Sequence, residues 1–344
     1  MRLSWRRLKV GLRVPLVTAN GTLRKRELLA VTLTGEDGAS GYGEASPLEP
    51  YDGIGIDRVL GALESYRQVM ADIEDPGGAG LIEACRGADD TPQALAAIDM
   101  ALWDRAGRRA GVPVAELLSE RPARAIAVNA TIASGDRAGA VDAASKAVSE
   151  GFRCVKLKVG IGDDAARASA VRATIGPQVA LRLDANGAWQ VEEAIRAIET
   201  MAPVGLELVE EPTHGLHAVR QVRDRVSTRI AIDETAAEPG ALGAGVADAV
   251  CLKIGRCGGI SGLLAAATLV RASGAEPYVS STFDGPLGVA AALHAAAALA
   301  SRGEVPPCGL ATLHLFEGDL AAILPVEDGL IALPEGPGLG VPPL

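Results

Sequence analysis

No apolar stretch in the 344-residue chain reaches the roughly 20 residues of a membrane-spanning helix, which excludes a helical membrane protein. The basic N-terminus, MRLSWRRLKV, is followed by neither an apolar segment nor a small-residue cleavage site. No signal peptide is therefore expected, and a cytoplasmic location is. Positive charge is in deficit: 33 Lys and Arg against 43 Asp and Glu give a formal charge of −10. That balance argues against nucleic acid and anionic membrane as partners, while an anionic small molecule stays open if the site gathers local positive charge. The five cysteines (Cys85, Cys154, Cys251, Cys257, Cys308) include no CxxC pair and are odd in number, so reduced thiols are expected rather than a disulfide framework. Lysine is scarcest of the cations. Only Lys9, Lys25, Lys146, Lys156, Lys158 and Lys253 are lysine, and the other 27 are arginine, which makes each lysine's position informative.

What is present is a globular composition, 48% hydrophobic and 22% charged, long enough for one large domain or two ordinary ones. Residues 1–45 read as strands: Leu28–Leu33 is an apolar β-branched run, and Glu36-Asp37-Gly38 turns it into Gly41-Tyr42-Gly43-Glu44. Ala45–Gly55 reads as a Pro/Gly-rich loop. A helical pattern runs from Asp57 to about Met70, and Thr91-Pro92 opens another through Arg108. From about residue 124, short apolar strands alternate with Ala-rich helical stretches such as Arg137–Glu150 and Val191–Met201. The predicted strands are Ile126–Ala130, Cys154–Lys158, Val179–Leu183, Leu206–Val209, Ile230–Ile232, Ala249–Leu252 and Pro277–Ser281, with a weaker eighth near Cys308–Leu313. Repeated βα units imply parallel strands, and eight would close a (β/α)8 barrel. An open doubly wound sheet is the alternative, but no GxGxxG turn opens a helix. In the tail, Gly329–Leu333 reads as a strand that packs back on the N-terminal region.

In such a barrel, chemistry sits at the C-terminal ends of the strands. Here the strands end in Lys156 and Lys158, Asp184, Glu210, Asp233 and Lys253, spaced by 26, 26, 23 and 20 residues from Lys158 onward. Each interval is about one βα unit, so these groups converge on one rim. Three carboxylates on adjacent strands, without histidine or cysteine beside them in sequence, suit a hard cation such as Mg²⁺. One such acid is ordinarily a helix cap; three in succession flanked by lysines are not explained that way. Lys156 and Lys158 alternate on one face of their strand and point inward, and lysine, unlike arginine, can exchange its proton. Lys253, four strands on, stands across the cavity. Two amines facing a metal site can remove the proton α to a carboxylate and stabilise the enediolate that forms.

This series, Lys156-Leu157-Lys158, Asp184-Ala185-Asn186, Glu210-Glu211-Pro212, Asp233-Glu234 and Lys253, resembles the enolase superfamily, in its muconate-lactonising subgroup, over nearly the whole chain. The resemblance implies an α/β fold: a (β/α)8-type, modified TIM barrel (residues 123–315) with an α+β capping domain made from the N-terminal region (1–122) and the C-terminal tail (316–344). It implies Mg²⁺, with Mn²⁺ as the alternative occupant, on Asp184, Glu210 and Asp233, and acid–base lysines at Lys158 and Lys253. Lys156 would orient the substrate carboxylate and help depress the pKa of Lys158; Asn186, Glu211 and Glu234 would support the ligands. Dipeptide epimerases of this family carry an Asp-x-Asp element at the eighth strand for the substrate ammonium, and here Cys308–His314 contains no acid. Ser280-Ser281-Thr282, with the following FDGPLG, resembles the seventh-strand segment of o-succinylbenzoate synthases. That implies dehydration of a hydroxycyclohexadiene carboxylate in menaquinone synthesis, with Ser280, Ser281, Thr282 and Thr22 against the substrate and the loops Val17–Arg24 and Ala45–Gly55 closing over it.

Racemases, epimerases and cycloisomerases of the subgroup form the second reading, and a non-enzymatic binding barrel the third. Clustering so many ionisable groups costs stability unless a ligand offsets it, which disfavours the last. His214 and His217 read as loop or cap residues, His294 as structural, and Asp163-Asp164 as a helix start. Barrels of this family assemble into homo-oligomers, but no interface is identifiable here.

Overall fold

A computed structural model of the protein describes residues 1–18, 21–72 and 77–343. The chain opens with an antiparallel sheet of β1 (Arg2–Thr18), β2 (Gly21–Thr34) and β3 (Ser40–Ala45), in that order. The segment expected as a loop at Val17–Arg24 is instead the end of this hairpin, with Val17 paired to Thr22; residues 19–20 lie outside the described ones. Strand alternation turns Leu29, Val31 and Leu33 to one face. There they form a core with Val59, Leu63, Tyr66, Leu81, Leu95 and Ile98, supplied by α2 (Ile56–Asp72), α3 (Gly77–Ala88) and α4 (Pro92–Ala110). Between β3 and α2, the supposed loop contains one helical turn, α1 (Glu49–Asp52). Helix α4 starts where the sequence predicts, with Pro92 in its first turn. The Thr91 hydroxyl does not cap it, however, and donates to Asp89 Oδ1 at 2.7 Å.

After α5 (Val114–Leu118) and β4 (Ala125–Ala127) the barrel begins. Its strands are β5 (Ala130–Ile132), β6 (Cys154–Lys158), β7 (Ala180–Asp184), β8 (Leu208–Glu210), β9 (Ile230–Ile232), β10 (Ala249–Leu252) and β11 (Glu276–Val279). All pair in parallel in sequence order. The helices α6 (Arg137–Ser149), α7 (Asp164–Ile175), α8 (Val191–Met201), α9 (Leu216–Arg223), α10 (Ile260–Ala272) and α11 (Pro286–Ala300) connect them. Asp163 caps α7, accepting from Ala166 N at 3.1 Å. Outward-facing Val155, Leu157, Leu181, Leu183, Val209, Ile232 and Val250 join the main core with these helices, while Leu208, Ala231, Ala249, Cys251 and Tyr278 form a separate small cluster.

The eighth strand is shorter than the sequence suggests. Cys308 bridges Val128 and Gly309 bridges Ser280, both in parallel. Four backbone hydrogen bonds, to Ala127 O, from Asn129 N, to Val279 O and from Ser281 N, join this dipeptide to both edges of the sheet. Beyond it the chain turns into a 3₁₀ segment at Leu313–Leu315. The tail strands β12 (Val326–Glu327) and β13 (Leu330–Ala332) pair through β13 with β4. Gly338 then bonds to Val112 and Val114, and Leu339 N donates to Asp104. His294, in the buried helix α11, is structural: Ala115 N donates to its Nδ1 and its Nε2 meets Leu339 O, and burial pushes its pKa down to about 4. Among the described residues, no helix is long and apolar enough to cross a membrane.

The N-terminal sheet approaches α4 backbone to backbone. A Cβ on Gly43 would stand 2.0 Å from Ala97 O, and one on Gly41 would stand 2.0 Å from Ala101 O. Gly43→Ala is expected to cost about 3 kcal/mol of stability by overpacking, read from urea unfolding; an unchanged midpoint would contradict this packing.

Candidate functional site

Sheet register assembles the site. Lys158 is level with Asp184 across β6 and β7, and Asp184 is level with Glu210 across β7 and β8. Asp233 follows β9 and Lys253 follows β10 at the same end of the barrel. Asp184, Glu210 and Asp233 are fully buried. Lys156 Nζ lies 2.9 Å from both Asp184 Oδ2 and Glu210 Oε1. Lys158 Nζ donates to Asp184 Oδ2 at 2.7 Å and to Asn186 Oδ1 at 2.6 Å. Across the ring, Lys253 Nζ sits 2.9 Å from Asp233 Oδ2.

These pairings set the charge states. Burial opposes the Lys156 ammonium, but Asp184 and Glu210 outweigh it and hold its pKa well above the ordinary lysine value. The same contest, won by Asp233, raises that of Lys253. Burial also opposes ionisation of Asp184 and Asp233, and their lysine neighbours, with Arg256 beside Asp233, overcome it and lower both. Glu210 goes the other way: burial and the like charges of Asp184 and Asp233 outweigh Lys156.

The supporting residues fall in place around this core. Glu211, buried with φ of 41°, accepts from Asp233 N at 2.7 Å and from Thr235 N at 3.0 Å, so it fixes the turn that carries Asp233. Asn186, also left-handed at φ 45°, donates from Nδ2 to Tyr51 Oη at 2.8 Å and Glu234 Oε1 at 3.0 Å. Glu234 Oε2 is buried without a hydrogen-bond partner. His214 Nδ1 meets Glu211 Oε1 at 2.9 Å, while the exposed His217 ring pairs with Gln221.

Several contributors were not singled out from the sequence. Tyr51, from α1, donates its hydroxyl to Asp233 Oδ2 at 2.9 Å. Arg256 lies 3.3 Å from Asp233 Oδ1 and 2.7 Å from Asp52 Oδ1, and its guanidinium stacks over the Tyr51 ring. Tyr278 donates to Glu210 Oε2 at 2.7 Å. A weak signal for two of these existed: Arg256 is three residues past Lys253, and Tyr51 sits in the loop assigned to the cap.

One cavity opens over the cluster. Thr22, Leu23, Leu48, Pro50 and Tyr51 line it from the N-terminal region, and Thr131, Lys156, Lys158, Asp233 and Lys253 from the barrel. Ser280, Ser281, Thr282, Phe283, Gly309, Ala311, Thr312, His314 and Leu315 complete its wall. All thirteen residues proposed from sequence thus lie in the cavity wall or in the network behind it. Part of the serine chemistry is already committed: Asp284 N donates to Ser281 Oγ, and Ser280 Oγ donates to Gly309 O.

The donor set fits a divalent cation. Asp184, Glu210 and Asp233 offer hard carboxylate oxygens on consecutive strands, balanced here only by lysine and arginine. Cys251 Sγ comes within 4.8 Å of Glu210 and Asp233 ligand atoms, but burial raises its thiol pKa far enough to keep it neutral, a poor partner for a hard ion.

The chain is similar to known proteins along most of its length. Residues 139–343 match the family "Enolase C-terminal domain-like", and residues 3–119 match "Mandelate racemase / muconate lactonizing enzyme, N-terminal domain". The L-Ala-D/L-Glu epimerase of Bacillus subtilis is 29% identical, over 99% of this chain and 96% of that protein. The o-succinylbenzoate synthase of Thermobifida fusca is 38% identical over 62% of this chain and 68% of its own length. The crystal structure of dipeptide epimerase from Enterococcus faecalis V583, complexed with Mg and the dipeptide L-Leu-L-Tyr, superposes with a TM-score of 0.89 at 29% identity, covering 99% of this chain and 98% of that one.

Behind the serine segment lies a second buried group. Glu44 Oε1 accepts from Ser46 Oγ at 2.5 Å and Gly285 N at 2.6 Å, Asp284 faces it, and Arg26 donates to Phe283 O, Ser46 O and Pro47 O. Burial, then Asp284, pushes the Glu44 pKa up to about 7. The folded state therefore binds more protons than the unfolded chain between the usual glutamate value and pH 7, and stability falls as pH rises through that window. Glu44→Gln is expected to abolish a loss of about 3 kcal/mol between pH 5 and 8, measured by urea unfolding; parallel pH profiles would contradict it.

Proposed function

The chain belongs to the enolase superfamily, in its mandelate racemase and muconate lactonizing branch, and we propose that it removes the proton α to the carboxylate of a small substrate. We further propose the reaction to be dehydration of a hydroxycyclohexadiene carboxylate bearing a succinyl arm, giving o-succinylbenzoate, the chemistry of menaquinone synthesis. The observation that carries this reading is the cavity wall at the eighth strand. Gly309 and, just past it, Ala311, Thr312, His314 and Leu315 line it and offer no acid to hold a substrate ammonium. A Cβ at 309 would stand 2.3 Å from Ser280 Oγ, so a side chain there would have to displace that hydroxyl. The likeness to the T. fusca synthase and the apolar wall of Leu23, Leu48, Pro50 and Phe283 support the same substrate.

Asp184, Glu210 and Asp233 would hold Mg²⁺ or Mn²⁺, which when bound supplies positive charge for the substrate carboxylate and for the charge that develops as the α-proton leaves. Lys158 Nζ takes that proton. The electron pair moves into the ring, the carbon–oxygen bond of the hydroxyl breaks on the same face, and Lys158 returns the proton to the departing oxygen, so water leaves and the ring becomes aromatic. Lys253, across the cavity and kept protonated by Asp233, stabilises the intermediate by its charge. Asn186 and Asp184 orient the Lys158 amine, and Lys156 lies beside the carboxylate position.

Likeness along the whole chain to dipeptide epimerases favours a second reading, an isomerase in which Lys158 and Lys253 act on opposite faces of one carbon. The two separate experimentally. Aromatic product followed by ultraviolet absorbance, with Mg²⁺, is expected from wild type and to fall at least about 10³-fold in Lys158→Ala. No turnover by folded, Mg²⁺-loaded wild type would overturn the dehydratase reading, and α-proton exchange of N-acyl amino acids or dipeptides in D₂O would then establish the isomerase.

A further inference from the structure

Inside the barrel, one level below the carboxylates, a polar column runs through an otherwise small apolar filling. Arg182 precedes Asp184 by two residues on β7 and is fully buried. Its Nε and Nη2 donate to Glu207 at 2.8 and 3.1 Å, and its Nη1 donates to Pro307 O at 2.7 Å. The guanidinium covers the ring of Tyr278 at 5.1 Å. Tyr278, 1% exposed, in turn donates its hydroxyl to Glu210 Oε2 at 2.7 Å. Glu210 Oε1, its other oxygen, faces Lys156 and the cavity side of the cluster.

We propose that Tyr278 is a positioning residue for the cation site: it occupies Glu210 Oε2 and thereby presents Oε1 alone to the ion. The inference rests on Glu210 being a ligand, as proposed above. Lys156 holds only the Oε1 side of Glu210, and Tyr278 is the donor on Oε2, so if the ion takes the place of Lys156 it is Tyr278 that keeps the rotation of the carboxylate fixed. Tyr278 cannot itself drift, because the Arg182 fork is locked by Glu207 and a backbone carbonyl. A hydrogen-bond donor behind a ligand carboxylate typically contributes 10–100-fold in metal affinity.

The test is Mg²⁺ binding by titration calorimetry on the full-length protein, metal-free at the start, for wild type, Tyr278→Phe and Glu210→Gln. Tyr278→Phe keeps the ring under Arg182 and removes one oxygen. Its dissociation constant for Mg²⁺ is expected to rise about tenfold, with turnover recovering to near wild type as Mg²⁺ is raised. An unchanged dissociation constant overturns the proposal, as does lost turnover that saturating Mg²⁺ does not restore. Unaltered binding by Glu210→Gln overturns both it and the ligand assignment, whereas the expected Mg²⁺ affinities with no dehydration would sink the substrate assignment alone. If Tyr278→Phe does not fold, Tyr51→Phe leaves Tyr278 as the one tyrosine bonded to these carboxylates. A Mg²⁺-dependent tyrosine difference spectrum in that variant supports the proposal, and its absence overturns it.

Discussion

The ammonium of Lys156, shared between Asp184 and Glu210 at 2.9 Å each, is the contact on which the rest of the site depends. Three carboxylates out of reach of water repel one another strongly in a low-dielectric interior, and the rim of a parallel barrel brings them together whether or not that is favourable. Lysine relieves the repulsion in a form that can be exchanged, since its charge sits at the end of a flexible stem. Arginine, which the chain uses almost everywhere else, pairs with these three carboxylates at Arg256, pinned between Asp52 and Asp233, while Arg182 lies one level below them.

The N-terminal region completes this arrangement. Tyr51 reaches across to Asp233 and Asn186, Asp52 to Arg256, and Glu44 to the turn after the seventh strand. These contacts join the single turn after β3, or β3 itself, to the loops that carry Asp233, Lys253 and the serine segment, and to Asn186 beside Lys158. The cavity wall over the lysines is therefore shaped by the way β3 lies on α4, where two glycines permit the backbones to touch. Packing far from the chemistry fixes the distance between the cap and the reacting groups.

Much of this was legible in the sequence because barrel strands repeat at a regular interval and end in ionisable residues. The spacing located Lys158, Asp184, Glu210, Asp233 and Lys253 within one ring, and the boundaries of α8 and the start of α4 followed from local signals. Long-range contacts were not legible. Tyr51 and Tyr278 look like ordinary aromatic residues until the fold sets their hydroxyls against Asp233 and Glu210. The eighth strand was overdrawn because its apolar pattern continues past Gly309, while only Cys308 and Gly309 find partners on both edges. Val17–Arg24 read as a loop because nothing local shows that β1 and β2 extend so far beyond β3.

The account stands or falls on the carboxylates being a cation site that the lysines occupy until the ion arrives. Crystals soaked in Mn²⁺ and measured at the manganese absorption edge test this directly. One anomalous peak bound by oxygens of Asp184, Glu210 and Asp233, with Lys156 moved off the bridge between Asp184 and Glu210, is the predicted result. No peak among the three, with Lys156 still between its two carboxylates, would contradict it.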